Sequence, residues 1–212
     1  MKIAAVIPAY NEAKHIGRVL APLRECPELT EVIVVSDGST DGTGDIARKM
    51  GAQVIELSTN QGKGAAVMAG VKATAAEVIL LLDADLIGLT PQHVKELLTP
   101  IFTQQAVMTI GYFTAGRLAT DLSQQMAPYL NGQRAVRREL FAALPALTQS
   151  KYGLEVVMNH YARINHCKVV WVSLPNLSHV MKEEKIGLIR GFAARLRMYW
   201  QIIKVLVAVR LT

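Results

Sequence analysis

Two aspartates one residue apart, Asp83 and Asp85, follow three leucines in the stretch LLLDADLIG at residues 80–88. Carboxylates at that spacing, where an apolar strand leaves its sheet, can both reach one point beyond the strand end. Two negative charges there repel unless a cation lies between them. Mg²⁺ or Mn²⁺, bound by one or two carboxylates plus diphosphate oxygens, meets that need. Three further stretches share the form of an apolar run followed by turn-forming polar residues: PAYNE at 8–12, SDGSTDGT at 36–43 and STNQGKG at 58–64. Together they offer acids, glycines, an asparagine pair and one lysine, which suits a sugar nucleotide held with a divalent metal. Gly62 and Gly64 let the backbone approach a ligand closely, and Lys63 supplies a point charge for a phosphate. Singly, each motif has a plainer reading as a turn or helix cap. In this order, each at a strand end, they point to one site.

The elements that must position these residues alternate along the chain. KIAAVIPAY, EVIVVSD, AQVIEL and EVILLLDAD read as strands. EAKHIGRVLAPLREC, DGTGDIARKMG and GAAVMAGVKATAA read as helices between them. Continuous Val/Ile/Leu runs, rather than alternation, are what a parallel sheet covered on both faces requires. The reading is an α/β, doubly wound sheet through about residue 115, with ligands outside the carboxyl ends of the strands. A last strand, KVVWVSL, precedes His179.

Composition sets bounds on the rest. At 212 residues and 51% hydrophobic, the chain is long enough for one well-buried domain or a domain with a small appendage. Cys26 and Cys167 lack CxxC or Cys/His spacing, so a reducing, cytoplasmic setting without a disulfide framework is expected. The amino terminus shows no basic leader and no small-residue cleavage site, so no signal peptide is expected. Residues 182–212 carry seven Lys or Arg against two Glu, a local +5 of the chain's net +6. Basicity confined to the tail argues against a nucleic-acid-binding body.

With these motifs in place, VIPAYNE, VVSDGSTDGT, NQGKGAA and LLLDAD together resemble the nucleotide-sugar-binding half of family 2 glycosyltransferases with the GT-A fold. GQRAVRRELF at 132–141 and YGLEVVMN at 152–159 resemble the acceptor half of dolichol-phosphate-mannose synthase-like and glucosyl-phosphoglycerate synthase-like members. The resemblance implies a Rossmann-like, mostly parallel sheet with helices on both faces. It implies a nucleotide-sugar half at 1–115, an acceptor half of the same domain at 116–182, and an amphipathic basic helical tail at 183–212. It also implies roles. Pro8, Ala9, Tyr10 and Glu12 would form the first nucleotide-contacting loop, with Glu12 at the ribose. Asp37 would recognise the base, Lys63 would lie near base and diphosphate, and Asp83 and Ala84 would meet the ribose or sugar. Asp85 would be the principal metal ligand. Two positions depart from the family pattern: Ser36 stands where an acid is commoner, and Ile87 where lipid-phosphate mannosyltransferases carry a glutamine. The second departure removes a metal ligand and directs attention to His179 as a distal one, although a histidine after a strand is more often a plain surface residue.

The implied activity moves a sugar from a UDP- or GDP-sugar to a lipid-linked or phosphorylated acceptor. Such chemistry needs a stabilised diphosphate leaving group and, for a hydroxyl acceptor of an inverting enzyme, a general base. Glu155 is the candidate acceptor-side carboxylate, and Arg134 the candidate phosphate ligand, whereas Arg137 and Arg138 read equally as a solvated helix face. In the tail, Leu188, Phe192, Leu196, Tyr199, Ile203 and Leu206 share a helical stripe, with Arg190, Arg197 and Lys204 recurring on the other side. Such a helix can lie on an anionic membrane surface, pack on the body, or pair with a second copy. The competing readings are a nucleotidyltransferase, which ordinarily shows a Gly-rich, Arg-containing first loop absent from PAYNE, and a non-catalytic nucleotide-binding module. A dinucleotide oxidoreductase is disfavoured because no GxGxxG follows the first strand.

Overall fold

The structure, a computed structural model, describes residues 1–114, 131–142 and 153–180. The expected boundary between the two halves and the expected helical tail at 183–212 lie outside the described residues.

Among the described residues, seven strands form one sheet in the order β3-β2-β1-β4-β7-β6-β8. They are β1 (Ile3–Ala9), β2 (Glu31–Asp37), β3 (Gln53–Leu57), β4 (Val78–Leu81), β6 (Met108–Thr114), β7 (Arg134–Arg137) and β8 (Val169–Pro175). β5 (Leu86–Ile87) and β9 (Ser178–His179) pair separately as a two-stranded ribbon. The expected mostly parallel, doubly wound α/β sheet is found: β1 pairs parallel with β2 and β4, β2 with β3, and β6 with β8. The exception is β7, which runs antiparallel to both β4 and β6 and so carries the second half of the chain into the same sheet.

The helices are α1 (Ile16–Leu23), α2 (Thr43–Lys49), α3 (Lys63–Lys72), α4 (Pro91–Phe102), α5 (Arg138–Ala142) and α6 (Leu154–Ile164). Side chains alternate along β1, so Ile3, Ala5 and Ile7 enter one apolar cluster while Ala4 and Val6 enter the other. The first cluster takes Ile16, Val19 and Leu20 of α1 with Val94 and Leu97 of α4. The second takes Ala66 and Val67 of α3 with Leu154 and Met158 of α6. Burial on both faces explains why the strands read as unbroken apolar runs.

Three helices are shorter than their apolar patterns. Residues 12–15 form a turn in which the Glu12 carbonyl accepts from the His15 and Ile16 N–H groups, and α1 starts only after it. α2 begins at Thr43 because Asp41 accepts from the Thr43 N–H. α3 ends at Lys72, and Thr74 Oγ1 then accepts from the Ala76 N–H at 3.0 Å, which turns the chain into β4. α3 lies close on the sheet because its contact face is small. A Cβ on Gly70 would stand 2.4 Å from Val6 Cγ1 and 3.1 Å from Val35 Cγ2.

Candidate active site

β1, β2, β3 and β4 run parallel, so the four polar loops that follow them gather at one edge of the sheet. Hydrogen bonds join the loops in pairs. The Asn11 N–H donates to Ser39 Oγ at 3.1 Å, the Thr40 N–H donates to Asn11 Oδ1 at 2.9 Å, and the Glu12 N–H donates to Thr43 Oγ1 at 2.8 Å. These bonds hold Asn11 in the left-handed region at φ 54°. Tyr10 is left half exposed beside them, while Ala9 is buried in the core and Pro8 partly so. Glu12 Oε2 accepts from His15 Nδ1 at 2.6 Å, a contact the sequence did not suggest.

Asp37 is almost wholly buried at 3% exposure. Its Oδ1 accepts from the Gln61 N–H at 2.7 Å and its Oδ2 from the Gly62 N–H at 2.8 Å. The residue expected to recognise the base thus fastens the β3–α3 loop at the end of β2, which fixes where α3 begins. Lys63 is the first residue of that helix. A cation at a helix N-terminus opposes the peptide dipoles, so it needs nearby anions. Lys63 Nζ has two: Asp83 Oδ1 at 2.6 Å and Glu155 Oε1 at 2.7 Å. Burial pulls the ammonium's pKa down, but the two carboxylates outweigh it and hold the value above that of an ordinary lysine.

β4 ends at Leu81, and the chain leaves the sheet before Asp83. Ala84 joins the apolar core, which turns Asp83 and Asp85 to the other side of the backbone. β5 follows at once and pairs antiparallel with β9, placing Leu86 opposite His179, while the Val180 N–H donates to the Asp85 carbonyl at 3.2 Å. This ribbon brings the third group in. Ligand atoms of Asp83, Asp85 and His179 all lie within 4.8 Å of one another. The His179 ring is braced edge-on by Phe113, centroids 4.7 Å apart. Two carboxylates and an imidazole form a hard-to-borderline O/O/N donor set that fits Mg²⁺ or Mn²⁺.

Glu155, expected on the acceptor side, lies in the first turn of α6 and is spent on Lys63. Arg134, expected as a phosphate ligand, has a fully buried side chain. Its Nε donates to the Asn131 carbonyl at 2.9 Å and its Nη1 to Asn159 Oδ1 at 2.6 Å. Burial lowers its pKa to about 10, with Glu155 and Asp83 opposing the shift, so the guanidinium remains a cation at neutral pH. Arg138, expected on a solvated face, caps α3 by donating to the Val71 carbonyl at 2.9 Å.

The sequence reading missed Gln133, whose Nε2 donates to Asp83 Oδ2 at 3.0 Å, and Gly132, which lets the backbone pass this cluster. A Cβ on Gly132 would stand 2.5 Å from Lys63 Nζ and 2.6 Å from Asp83 Oδ2. A glutamine entering a strand from a glycine, GQRAV, was the available signal. His93 was also passed over. It is buried in α4, its Nε2 donates to the Pro175 carbonyl at 3.0 Å, and its Nδ1 accepts from the Thr90 N–H at 3.3 Å, so it ties the start of α4 to the turn that leads into β9.

The sequence model described as Glycosyl transferase family 2 matches residues 4–170. Glucosyl-3-phosphoglycerate synthase of Mycolicibacterium smegmatis is 28% identical over 84% of the chain, which spans 70% of that relative. A dolichyl-phosphate hexose transferase of Haloferax volcanii is 45% identical over 39% of the chain and 36% of its own length. Among solved structures, glucosyl-3-phosphoglycerate synthase from Mycobacterium tuberculosis in complex with Mn²⁺, UDP-glucose and phosphoglyceric acid superposes with a TM-score of 0.80 at 25% identity. The match covers 98% of this chain and 79% of that one.

Proposed function

The chain belongs to glycosyl transferase family 2, and from that premise we propose that it transfers a sugar from a UDP-sugar to a small phosphorylated acceptor in a reaction dependent on a divalent cation. The observation that carries this reading is the convergence of Asp83, Asp85 and His179 beside Lys63 at the carboxyl edge of the sheet. Asp85 and His179 would hold Mn²⁺ or Mg²⁺ together with Asp83. Bound there, the cation would supply positive charge to a departing diphosphate.

The chain's own residues divide the remaining work. Tyr10 and Glu12 line the nucleoside end of the crevice with Pro8 and Ala9 behind them. Asp37 belongs to the base end, where its hold on Gln61 and Gly62 shapes the pocket wall. The amino end of α3, with Lys63 as its first residue, suits diphosphate oxygens. Arg134, buried near Asp83 and Glu155, adds a fixed positive charge to the same end of the crevice. The mycobacterial enzymes named for phosphoglycerate favour a small phosphorylated acid as acceptor. The strong local likeness to a dolichyl-phosphate hexose transferase favours a lipid phosphate as the second reading, and it would bring the chain to a membrane surface.

The test measures release of UDP or GDP from their glucose and mannose derivatives with Mn²⁺, given phosphoglycerate, a polyprenyl phosphate or neither. Acceptor-dependent release of UDP with phosphoglycerate is expected, and Asp85→Ala should lower it by about a hundredfold or more. Release that neither acceptor stimulates, or that survives Asp85→Ala and chelation, overturns the proposal.

A further inference from the structure

Both oxygens of Asp83 are engaged from within the protein: Oδ1 by Lys63 Nζ at 2.6 Å and Oδ2 by Gln133 Nε2 at 3.0 Å. The same carboxylate is one of the three groups that converge as cation ligands. A divalent cation drawn to Asp83 therefore meets an ammonium across a single carboxylate, and like charges at that separation repel. Gln133 is neutral and poses no such conflict. Lys63, however, has a second resting place, Glu155 Oε1 at 2.7 Å.

From this geometry we propose that Lys63 occupies the metal carboxylate in the nucleotide-free protein, and that Glu155 is a positioning residue that draws the ammonium off Asp83 so that a cation can bind. The inference deepens the function proposed above and rests on its metal site. Glu155 is well placed for the task. It projects from the first turn of α6 with a side chain only 12% exposed, so its position is set by a helix rather than by a mobile loop. Gly132 keeps the space around the ammonium open: the Cβ it lacks would fall 2.5 Å from Nζ, so the absence of a side chain there leaves Lys63 its room beside Asp83 and Glu155. A donor diphosphate arriving at the start of α3 gives Lys63 a third anionic partner. Nucleotide and cation then bind cooperatively, each relieving the contact that opposes the other.

The experiment titrates Mn²⁺ into the full chain without nucleotide and reads free Mn²⁺ by electron paramagnetic resonance. It compares the parent with Lys63→Met, Lys63→Gln, Lys63→Arg, Glu155→Gln and the Lys63→Met/Glu155→Gln pair, each checked for a parental circular dichroism spectrum. Either neutral replacement of Lys63 should tighten nucleotide-free Mn²⁺ binding by about tenfold, and Lys63→Arg should stay near the parent. Glu155→Gln should weaken binding by about fivefold in the parent, but by less than about twofold once Lys63 is neutral, because its effect passes through the ammonium. Equal effects of Glu155→Gln in both backgrounds would show a plain long-range charge effect and overturn the inference. So would parental Mn²⁺ affinity in both neutral variants while the parent still binds Mn²⁺ with UDP, and that result would leave the metal site standing. If neither parent nor variants bind Mn²⁺, with UDP or without, the metal site itself fails and this inference with it.

Discussion

A single carboxylate, that of Asp41, joins two of the four loops at the sheet edge. It accepts from the Ala13 N–H at 3.0 Å, from the Thr43 N–H at 3.1 Å and from the Thr43 hydroxyl, while Thr43 Oγ1 accepts in turn from Glu12. Burial works to raise its pKa, but the bonds from Thr43 and Ala13 outweigh it and hold the carboxyl below its ordinary value. A depressed folded pKa contributes stability that is present above the unfolded aspartate value of about 3.9 and is lost as pH falls through the folded value. Carbon-13 NMR of the Asp41 carboxyl should therefore give a midpoint below that of a free aspartate, and Asp41→Asn should flatten the acid limb of the stability curve. A midpoint at or above the ordinary value would contradict the bonding described. At this scale the sequence was readable where chemistry is local. Asp83, Asp85 and Lys63 announce themselves by their immediate neighbours. Arg134 and Glu155 do not, because their partners lie on other elements, and whether an arginine meets solvent or the underside of a strand is decided by packing.

The strands β1 to β4 were legible because a sheet buried on both faces leaves long apolar runs between polar turns. The β5–β9 ribbon was not: two residues on each side carry no periodicity, and their pairing joins segments far apart in the chain. Nor could apolar runs reveal that β7 is inserted antiparallel between β4 and β6, since direction leaves no mark on composition. The ribbon carries His179 into the proposed cation site, and His93 is its outside support. His93→Ala would remove the bond to the Pro175 carbonyl and one half of the α4 cap. The expected cost is about 1–3 kcal/mol of stability, seen as a lower midpoint in urea denaturation. Mn²⁺ affinity in the presence of UDP should fall as well, although His93 touches no ligand. Loss of stability with unchanged Mn²⁺ affinity would mean that the ribbon holds its place without α4.

Along the whole chain, the basic excess and the site chemistry fall in different stretches of sequence. The acidic cluster sits at the sheet edge, whereas the excess of basic residues lies in 182–212, outside the described residues. Among the described residues no helix is long and apolar enough to cross a membrane. If the tail lies on an anionic surface, each Lys or Arg there contributes about 1 kcal/mol and salt weakens the attachment. Sedimentation with anionic vesicles should carry the chain down at low salt and release it at high salt. Changing Arg190, Arg197 and Lys204 to Glu should abolish the effect, and a parent that stays in the supernatant throughout would favour the small acceptor. One packing detail reaches further than its location suggests. Gly70 lets α3 rest almost directly on Val6 and Val35, while Lys63 stands at the far end of the same rod, about 10 Å along its axis. The helix is therefore a lever with its fulcrum in the hydrophobic interior. A methyl group added under the fulcrum is expected to tilt the tip, where an ammonium is poised between two carboxylates, so a change of core volume should be felt at the far end of the helix.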